Sequence, residues 1–378
     1  MIGLATPHQM NNFGSKLQAY ALQKTLDRMG YPNEIIDYRF CTKRRSIKNL
    51  IFGGSLRYRL DQRKKVSDDP AVQEGYRIRT EAFSRFTERE YVFSPACNMI
   101  QDVQMLSKKY DAVICGSDQI WLPSNISNGY YALNFVPEGV KRIAYAPSFG
   151  IGDIPYVFRK DYKCFLNKLD TVTVREIRGA ELVKALTGKE CTVVLDPTLL
   201  LTRHLWTELL QLPASVAHEK YVFAYFLGDN PRHRIVAKQY AQKCGCKLVL
   251  LPNLEGIVPA DTEYADEAPY DISPKEFVQL IANAQTVFTD SFHGSVFSIL
   301  FERELFVCER FSRKSRHSTN SRIYSLLQLT GLTERLILGE DNRLPEQCCS
   351  IDYRMVNEKL EMLRQNSLTV LQKALEKK

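Results

Sequence analysis

The sequence predicts an α/β protein made of two Rossmann-like domains that face each other across a cleft. Three observations support this fold class. At 378 residues the chain is too long for one ordinary hydrophobic core. Short apolar or β-branched segments alternate with amphipathic segments, as in parallel α/β sheets. The alternation runs twice, which predicts an N-terminal domain at 1–192 and a C-terminal domain at 193–378 with a terminal helix.

The first series begins with the strand "MIGLAT". An amphipathic helix follows at 15–30, closed by Gly30, and then a second strand at 33–40. Further apolar segments end in polar or glycine-containing loops, which is typical of strands followed by functional loops. These predicted strands are 110–118, 141–150, 171–176 and 191–197.

The second series follows a predicted linker at 196–206. A helix is expected where Ser273 precedes Pro274, because Ser is a favoured N-cap and Pro a favoured first helical residue. Another helix is expected to begin near Ser295. The remaining predicted elements are strands at 220–229, 246–253, 286–290 and 305–311, and helices at 231–245 and 353–378.

Composition excludes several classes of protein. The hydrophobic fraction of 44% and the charged fraction of 25% are those of a soluble globular protein. No apolar run is long enough to cross a bilayer, and the N-terminus does not resemble a signal peptide, so we expect a cytoplasmic protein. The ten cysteines should then be reduced, and their spacing does not predict a zinc site. No metal is expected.

Positive charge is concentrated in residues 39–65, called here the basic segment. It holds ten Lys or Arg residues against Asp61 alone, whereas the whole chain has a formal net charge of +8. An electrostatic partner should therefore bind there. Only Phe52 and Tyr58 follow Phe40 as aromatic residues, and no nucleic-acid-binding module is recognisable. We therefore predict no nucleic-acid partner, although steep salt-dependent binding would be the signature of one.

The stretch "TDSFHGSVF" places His293 between a predicted strand and a predicted helix. Ligands of parallel sheets bind at the carboxyl ends of the strands, so this is a position where chemistry is expected. The histidine could donate a proton or hydrogen-bond an anion near the helix N-terminus. Gly294 would allow close backbone approach. The alternative is a histidine that caps the helix or satisfies a buried carbonyl.

Two loops of the first series carry similar groups. Asn12, Gly14 and Ser15 offer donors at a helix N-terminus, or simply form its N-cap. The loop "CGSDQIW" places Asp118 after a strand, where it could accept a sugar hydroxyl, act as a base, or close an Asx-turn. Neither loop contains a dinucleotide or P-loop motif.

Basic residues near the strand ends are candidate anion ligands. Arg175 ends a strand and could hold a carboxylate or phosphate through two parallel hydrogen bonds. Its alternative is an ion pair with Glu176 or another acid. The stretch 309–323 follows another strand soon after His293. It could line the cleft or be solvated surface, and its basic residues include Arg313, Lys314 and Arg322.

Taken together, several stretches resemble the polysaccharide pyruvyl transferase family. They appear in the family's order and cover most of residues 11–328. The matching stretches are "NNFGSKLQAYALQ", "DAVICGSDQIW", "RIAYAPSFG", "VTVREIRGAELVKALTG", "VVLDPTLLL", "SPKEFVQLIANA", "TDSFHGSVFSILF" and "NSRIYSLL". Phe13 stands where the family commonly has Tyr, and "ERELF" lacks the usual Pro before its Phe.

The resemblance implies a GT-B-like fold, phosphoenolpyruvate as donor, a glycan hydroxyl pair as acceptor, and a pyruvate ketal as product. No cofactor is implied. His293 matches the family's active-site histidine, Arg175 matches a donor-binding arginine, and either Arg313 or Lys314 matches a later basic residue. Asp118 is the expected base. The further expected contacts are Ser291, Gly294, Ser295 and Arg322 with the donor, and Asn12, Gly14, Ser15 and Gln119 with the acceptor.

The basic segment also contains apolar residues, so it could lie in a membrane interface with its cations at anionic head groups. Bacterial glycan units are commonly built on a polyprenyl diphosphate carrier. We therefore expect peripheral contact with the inner face of the cytoplasmic membrane, or with the carrier diphosphate, through Arg44, Arg45, Arg63, Lys64 and Lys65. A solvated basic surface is the alternative. The alternative function is a nucleotide-sugar glycosyltransferase of GT-B-like fold.

Overall fold

The computed structural model describes residues 1–39, 69–213, 220–253, 257–311, 320–338 and 350–376. These residues divide into two compact units, which we describe separately. Unit 1 contains the described residues within 1–59, 90–200 and 361–378. Unit 2 contains those within 60–89 and 201–360.

Unit 1 is built on a parallel six-stranded sheet in the order β2-β1-β3-β4-β5-β6. The strands are β1 (Ile2–Ala5), β2 (Asn33–Ile35), β3 (Ala112–Cys115), β4 (Lys141–Ala144), β5 (Thr171–Val174) and β6 (Thr192–Val193). Unit 2 has a parallel five-stranded sheet in the order β11-β10-β9-β7-β8. Its strands are β7 (Tyr221–Tyr225), β8 (Lys247–Leu251), β9 (Thr286–Thr289), β10 (Glu304–Cys308) and β11 (Leu336–Ile337). Two parallel sheets connected through helices confirm the predicted α/β class.

The helices of the described chain are numbered in sequence order. They are α1 (Phe13–Arg28), α2 (Pro70–Glu90), α3 (Ile100–Ser107), α4 (Pro123–Ile126), α5 (Tyr156–Lys168), α6 (Ile177–Thr187), α7 (Pro197–Leu200), α8 (Arg203–Leu209), α9 (Pro231–Lys243), α10 (Pro259–Glu263), α11 (Pro274–Asn283), α12 (Phe292–Leu300), α13 (Ser321–Thr330) and α14 (Tyr353–Leu375). The start of α11 is as predicted, because Ser273 and Glu276 form a capping box around Pro274. The predicted terminal helix is α14.

Each unit has its own hydrophobic core around its sheet. In unit 1, Trp121 is fully buried and packs edge-on against Phe149 and Phe165. In unit 2, Trp206 is equally buried and packs edge-on against Phe297. Aromatic pairs of this geometry stabilise a core beyond their buried area.

Two helices belong to units other than those expected from a division into 1–192 and 193–378. Most of α2 lies in unit 2, where the buried Arg79 donates to the carbonyls of Pro269 and Tyr270. The end of α14 lies in unit 1, where Arg364 donates to Leu199 O at 2.8 Å. Both contacts use buried arginines to satisfy backbone carbonyls, so each helix is anchored to its unit by more than apolar packing.

Helix α12 begins at Phe292, earlier than the predicted start near Ser295. Ser291 is the N-cap, and its Oγ accepts from the backbone N–H of Gly294 at 3.3 Å. His293 therefore lies in the first helical turn and not in the preceding loop, which corrects the sequence prediction. In the part of the chain that the structure describes, no helix is long and apolar enough to cross a membrane.

Candidate active site at the strand ends

The loop after β3 passes unusually close to the end of β4. Gly116 has a φ of 139°, and a Cβ built on it would lie 1.9 Å from the carbonyl oxygen of Tyr145. Only glycine fits there. The chain then reaches Asp118, whose φ of 68° lies in the left-handed region that Asp tolerates. The backbone N–H of Ser148 donates to Asp118 O at 2.8 Å and fixes this turn.

The carboxylate of Asp118 is held from two sides. The hydroxyl of Ser15 in α1 donates to one oxygen at 2.5 Å, and Nη2 of Arg175 donates to the other at 3.3 Å. The side chain keeps 17% of its surface exposed. A carboxylate that is oriented by two donors and still reachable is suited to accept a hydroxyl proton.

Arg175 follows β5 and is almost completely buried, with 1% of its side chain exposed. Besides Asp118, its guanidinium bonds Asp196 at 2.8 Å and lies 3.9 Å from Glu176. Burial by itself would lower the pKa of Arg175, but these three acids outweigh burial and raise it. One cation thus faces three carboxylates, which leaves two negative charges in excess when all four groups are ionised.

Asp196 anchors this cluster from the loop after β6. It is buried, and its two oxygens also accept from the hydroxyls of Ser117 at 2.9 Å and Thr198 at 2.7 Å. Glu176 accepts from Ser148 Oγ at 2.7 Å. Each acid in the cluster therefore accepts at least one hydrogen bond from a hydroxyl group, which offsets part of the cost of burying its charge.

Sequence reasoning placed Asp196 in a linker and treated Glu176 only as an alternative partner of Arg175. A usable signal was present for Asp196. It stands near the end of the predicted strand at 191–197, as Asp118 stands at the end of the predicted strand at 110–118. Gln18 was also missed, because it lies inside α1. Its amide accepts from Ser117 N and donates to Thr6 Oγ1, both at 2.8 Å, and so ties α1 to the loops after β1 and β3.

The predicted acceptor residues lie at the start of α1 and after Asp118. The side chain of Asn12 accepts from the backbone N–H of Ser15 at 3.1 Å, which is the N-cap arrangement weighed from the sequence. Gly14 is buried in the first turn of α1. The carbonyl of Gln119 accepts from Asn125 Nδ2 at 3.0 Å. Of the four, Ser15 contacts the Asp118 carboxylate directly through its hydroxyl.

In unit 2, His293 is buried with 5% of its surface exposed, and its ring packs edge-on against Phe292. The turn around it is tight. A Cβ on Gly294 would lie 2.5 Å from Thr289 Oγ1, so the helix start can approach the end of β9 only with glycine there. Ser295 Oγ donates to Ser291 O at 3.0 Å, so both predicted serines stabilise the turn that carries His293.

Asp290 fixes the junction between β7 and β9. Its buried carboxylate accepts from the backbone N–H groups of Leu227 at 2.7 Å and Gly228 at 2.8 Å. Arg310, at the end of β10, donates from Nη2 to Asp290 O at 3.0 Å. These contacts hold the ends of β7, β9 and β10 together through one buried carboxylate and one guanidinium.

The remaining predicted site residues are Arg322 in α13 and seven basic residues outside the described chain. Arg322 is buried in the first turn of α13. Arg313 and Lys314 lie outside the described residues, as do Arg44, Arg45, Arg63, Lys64 and Lys65 of the basic segment. Among the residues that are described, no group of three or more His, Cys, Asp or Glu is arranged to hold a metal ion.

The chain is similar to several solved structures of low sequence identity. A TarM variant from S. aureus, crystallised with fondaparinux, alpha-GlcNAc-glycerol and UDP, has a TM-score of 0.49 and 8% identity, covering 100% of this chain and 99% of that one. A UDP-GlcNAc 2-epimerase from Neisseria meningitidis has a TM-score of 0.46 and 9% identity, covering 98% and 99%. The E. coli ADP-heptose lps heptosyltransferase II has a TM-score of 0.38 and 14% identity, covering 97% and 98%. No curated protein matches the chain.

The family comparison is more specific than these structural similarities. The model described as polysaccharide pyruvyl transferase matches residues 12–310, which is well over half of the chain. The match includes the Ser15–Asp118–Arg175 cluster of unit 1 and the turn of His293 in unit 2. The chain therefore belongs to the polysaccharide pyruvyl transferase family.

Proposed function

We propose that this protein transfers the enolpyruvyl group of phosphoenolpyruvate onto two hydroxyls of a sugar, forming a pyruvate ketal and releasing phosphate. Family membership supports pyruvylation of a polysaccharide in general. The single observation that carries the finer proposal is the Asp118 carboxylate, oriented by Ser15 and Arg175 and 17% exposed. This arrangement supports Asp118 as the base for an uncharged hydroxyl at the strand ends of unit 1.

The reaction balances with these groups and needs no redox partner. His293 gives a proton to C3 of the enol, which makes C2 electrophilic. A sugar hydroxyl adds to C2 while its proton passes to Asp118. A second hydroxyl then adds to C2 as the C2–O bond to phosphate breaks. One of the two hydroxyl protons replaces the proton that His293 gave to C3, and the other leaves with the phosphate.

The charge of the unit 1 cluster bears on the role of Arg175. Phosphoenolpyruvate is a polyanion, and two excess negative charges beside Arg175 disfavour its approach. The guanidinium is also 1% exposed and occupied by carboxylates. These facts favour Arg175 as a positioning residue for Asp118. Its direct contact with the donor, expected from the family resemblance, remains a prediction.

The donor is assigned in this proposal to the strand ends of unit 2. Ser291, Gly294 and Ser295 build the turn that holds His293, and Arg322 together with Arg313 or Lys314 would add positive charge. The cleft between the two sheets remains a prediction. So do the polyprenyl-diphosphate-linked acceptor and the peripheral membrane contact of a cytoplasmic enzyme through the basic segment.

The test uses the full-length protein, phosphoenolpyruvate, and a panel of free and polyprenyl-diphosphate-linked oligosaccharides. We expect phosphate release and an acceptor mass increased by one pyruvate less one water. Asp118→Asn should lower kcat by about two to four orders of magnitude, the usual range for a lost general base. Asp153→Asn, at an exposed acid of the same unit, is the matched control and should be unaffected.

Two outcomes would contradict the proposal. One is stabilisation of the protein by UDP-sugars or CMP-sugars and not by phosphoenolpyruvate, since a ligand raises Tm only when it binds the folded state. That result would favour the nucleotide-sugar glycosyltransferase. The other is normal turnover in folded Asp118→Asn, which would remove the proposed base while leaving the family assignment intact.

A further inference from the structure

The first turn of α9 in unit 2, just after the loop that follows β7, carries a histidine that the proposed reaction does not use. His233 is the third residue of α9 and is only 3% exposed. Its Nε2 lies 3.2 Å from Nδ2 of Asn230. Asn230 Oδ1 is already engaged as the N-cap acceptor of Arg232 N at 3.1 Å, so the Asn230 atom that faces the histidine is the NH₂ group.

This contact fixes the tautomer of His233. An amide NH₂ can only donate, so Nε2 must accept and the ring proton must lie on Nδ1. The pKa of His233 is lowered chiefly by burial, further by Arg234, and only partly restored by Asp290, so the ring is neutral at pH 7. Nδ1–H is therefore a buried donor, and it has no acceptor among the described residues.

Two neighbouring arginines also have a buried nitrogen donor without an acceptor in the part of the chain that the structure describes. Nη2 of the fully buried Arg234 and Nε of Arg310 also lack an acceptor among the described residues. The rings of Phe226 and His233 are 5.6 Å apart, and the Arg234 guanidinium lies 4.8 Å from the same Phe226 ring. A Cβ on Gly228 would lie 3.0 Å from Arg310 Cγ, so Arg310 lies against the same loop. All three donors border the β7–α9 loop.

Their place in the sheet is also the expected place for a ligand. In the order β11-β10-β9-β7-β8, strand β8 lies on one side of β7, whereas β9, β10 and β11 are added on the other side. The switch point of the sheet is therefore between β7 and β9. Open parallel sheets bind ligands outside the carboxyl ends of the strands at such a switch point. Leaving a buried donor unsatisfied costs about 1–3 kcal/mol, and three such donors around one loop indicate an acceptor with several oxygens. The N-terminal amides of α9 are already capped, so the side chains would do the binding.

We propose that His233 Nδ1–H and the Arg310 guanidinium, with Arg234 behind them, bind a phosphate group at the switch point of the unit 2 sheet. The ion pairs Arg234–Asp261 and Arg310–Asp290 leave this region close to neutral, so hydrogen bonds and not net charge select the ligand. The proposal rests on the proposed function only for the identity of the ligand. Before transfer the ligand is the phosphate group of phosphoenolpyruvate, and after transfer it is the released inorganic phosphate.

The test is calorimetric titration of the full-length protein with inorganic phosphate. His233→Phe keeps an aromatic ring against Phe226 and removes the donor. We expect its Kd for phosphate to rise about tenfold or more, because a hydrogen bond to a charged group is lost. His204→Phe, at an exposed histidine of α8, is the matched control and should keep the wild-type Kd. In ¹⁵N-histidine spectra of the wild type, phosphate should shift the Nδ1–H signal that His233→Phe removes.

Several results would overturn this inference. They are the absence of saturable phosphate binding to the wild type, an unchanged Kd in folded His233→Phe, or an Nδ1–H signal that does not respond to phosphate. If binding depends on His233 but phosphoenolpyruvate does not compete, the phosphate site stands and the proposed function fails. If His233→Phe makes ketal with wild-type KM and phosphate inhibition, the proposed function stands and this site fails.

Discussion

Removal of Arg175 tests the electrostatic account of unit 1 most severely. In Arg175→Met, the methylene packing is largely kept while the guanidinium that pairs with three carboxylates is lost. Breaking a buried charge network by deleting one partner costs about 3–5 kcal/mol. Asp196 and Glu176 keep hydrogen bonds from Ser117, Thr198 and Ser148, so we expect a loss of unfolding free energy near 3 kcal/mol at pH 7.

The loss should depend on pH with a defined sign. Buried carboxyl groups without a counter-charge bind protons at higher pH in the folded state than in the unfolded chain. The folded variant then holds more protons than the unfolded one, so its stability falls as pH rises. Relative to wild type, Arg175→Met should therefore be weakest at pH 7 and recover part of its deficit at pH 5.

The assay can report on unit 1 alone. The chain has two tryptophans, the buried Trp121 in unit 1 and Trp206 in unit 2. In a Trp206→Phe background, urea unfolding followed by fluorescence monitors Trp121. Arg178→Met, which removes an exposed ion pair with Glu181, is the control and should change stability by less than about 0.5 kcal/mol. A deficit below about 1 kcal/mol for Arg175→Met, or one independent of pH, would refute the reasoning.

Three further predictions concern other residues. Gly116→Ala should unfold unit 1 or strongly lower its Tm, because the new Cβ would lie 1.9 Å from Tyr145 O. Gly152→Ala is the control and should be tolerated, because no atom of the described residues, its chain neighbours aside, lies within 4 Å of a Cβ there. Equal Tm values for the two variants would contradict the packing argument. Burial lowers the pKa of Lys16 from 10.5 to about 8, so between pH 8 and 10.5 the unfolded chain binds a proton that the folded protein does not. Across this range the free energy of unfolding of the wild type should rise by up to about 3 kcal/mol relative to Lys16→Met. Urea titrations in which the two proteins have parallel pH profiles would exclude this. His293→Ala should keep the fold and lower turnover by about two to four orders of magnitude, and unchanged turnover would make His293 structural.

Much of the fold could be predicted from the sequence because it depends on local patterns. Alternating apolar segments identified strands β1 to β10 but not the two-residue β11, and Ser273 with Pro274 located the start of α11. The start of α12 was wrong by three residues because capping by Ser291 is a local hydrogen bond that a run of apolar residues does not indicate. Helix α2 was missed, although its first residue is Pro70 and proline is favoured at the first helical position.

The candidate site was predicted in part for the same reason. Asp118, Arg175 and His293 follow predicted strands, so topology alone places them at strand ends. Their partners depend on contacts between distant positions. Asp196 reaches Arg175 across 21 residues and Ser15 reaches Asp118 across 103, and no local pattern records such pairs. The buried environment of Arg175 is likewise a property of the folded unit.

The most direct test of the central claim is transfer from labelled phosphoenolpyruvate in heavy water. The account predicts that label enters the saccharide in a one-to-one ratio with released phosphate. It also predicts that the ketal methyl group carries one deuterium, because C3 takes its third hydrogen from solvent-exchanged His293. Phosphate release without label in the saccharide, or a product that keeps the enol double bond and gains no deuterium, would contradict ketal formation by this protein.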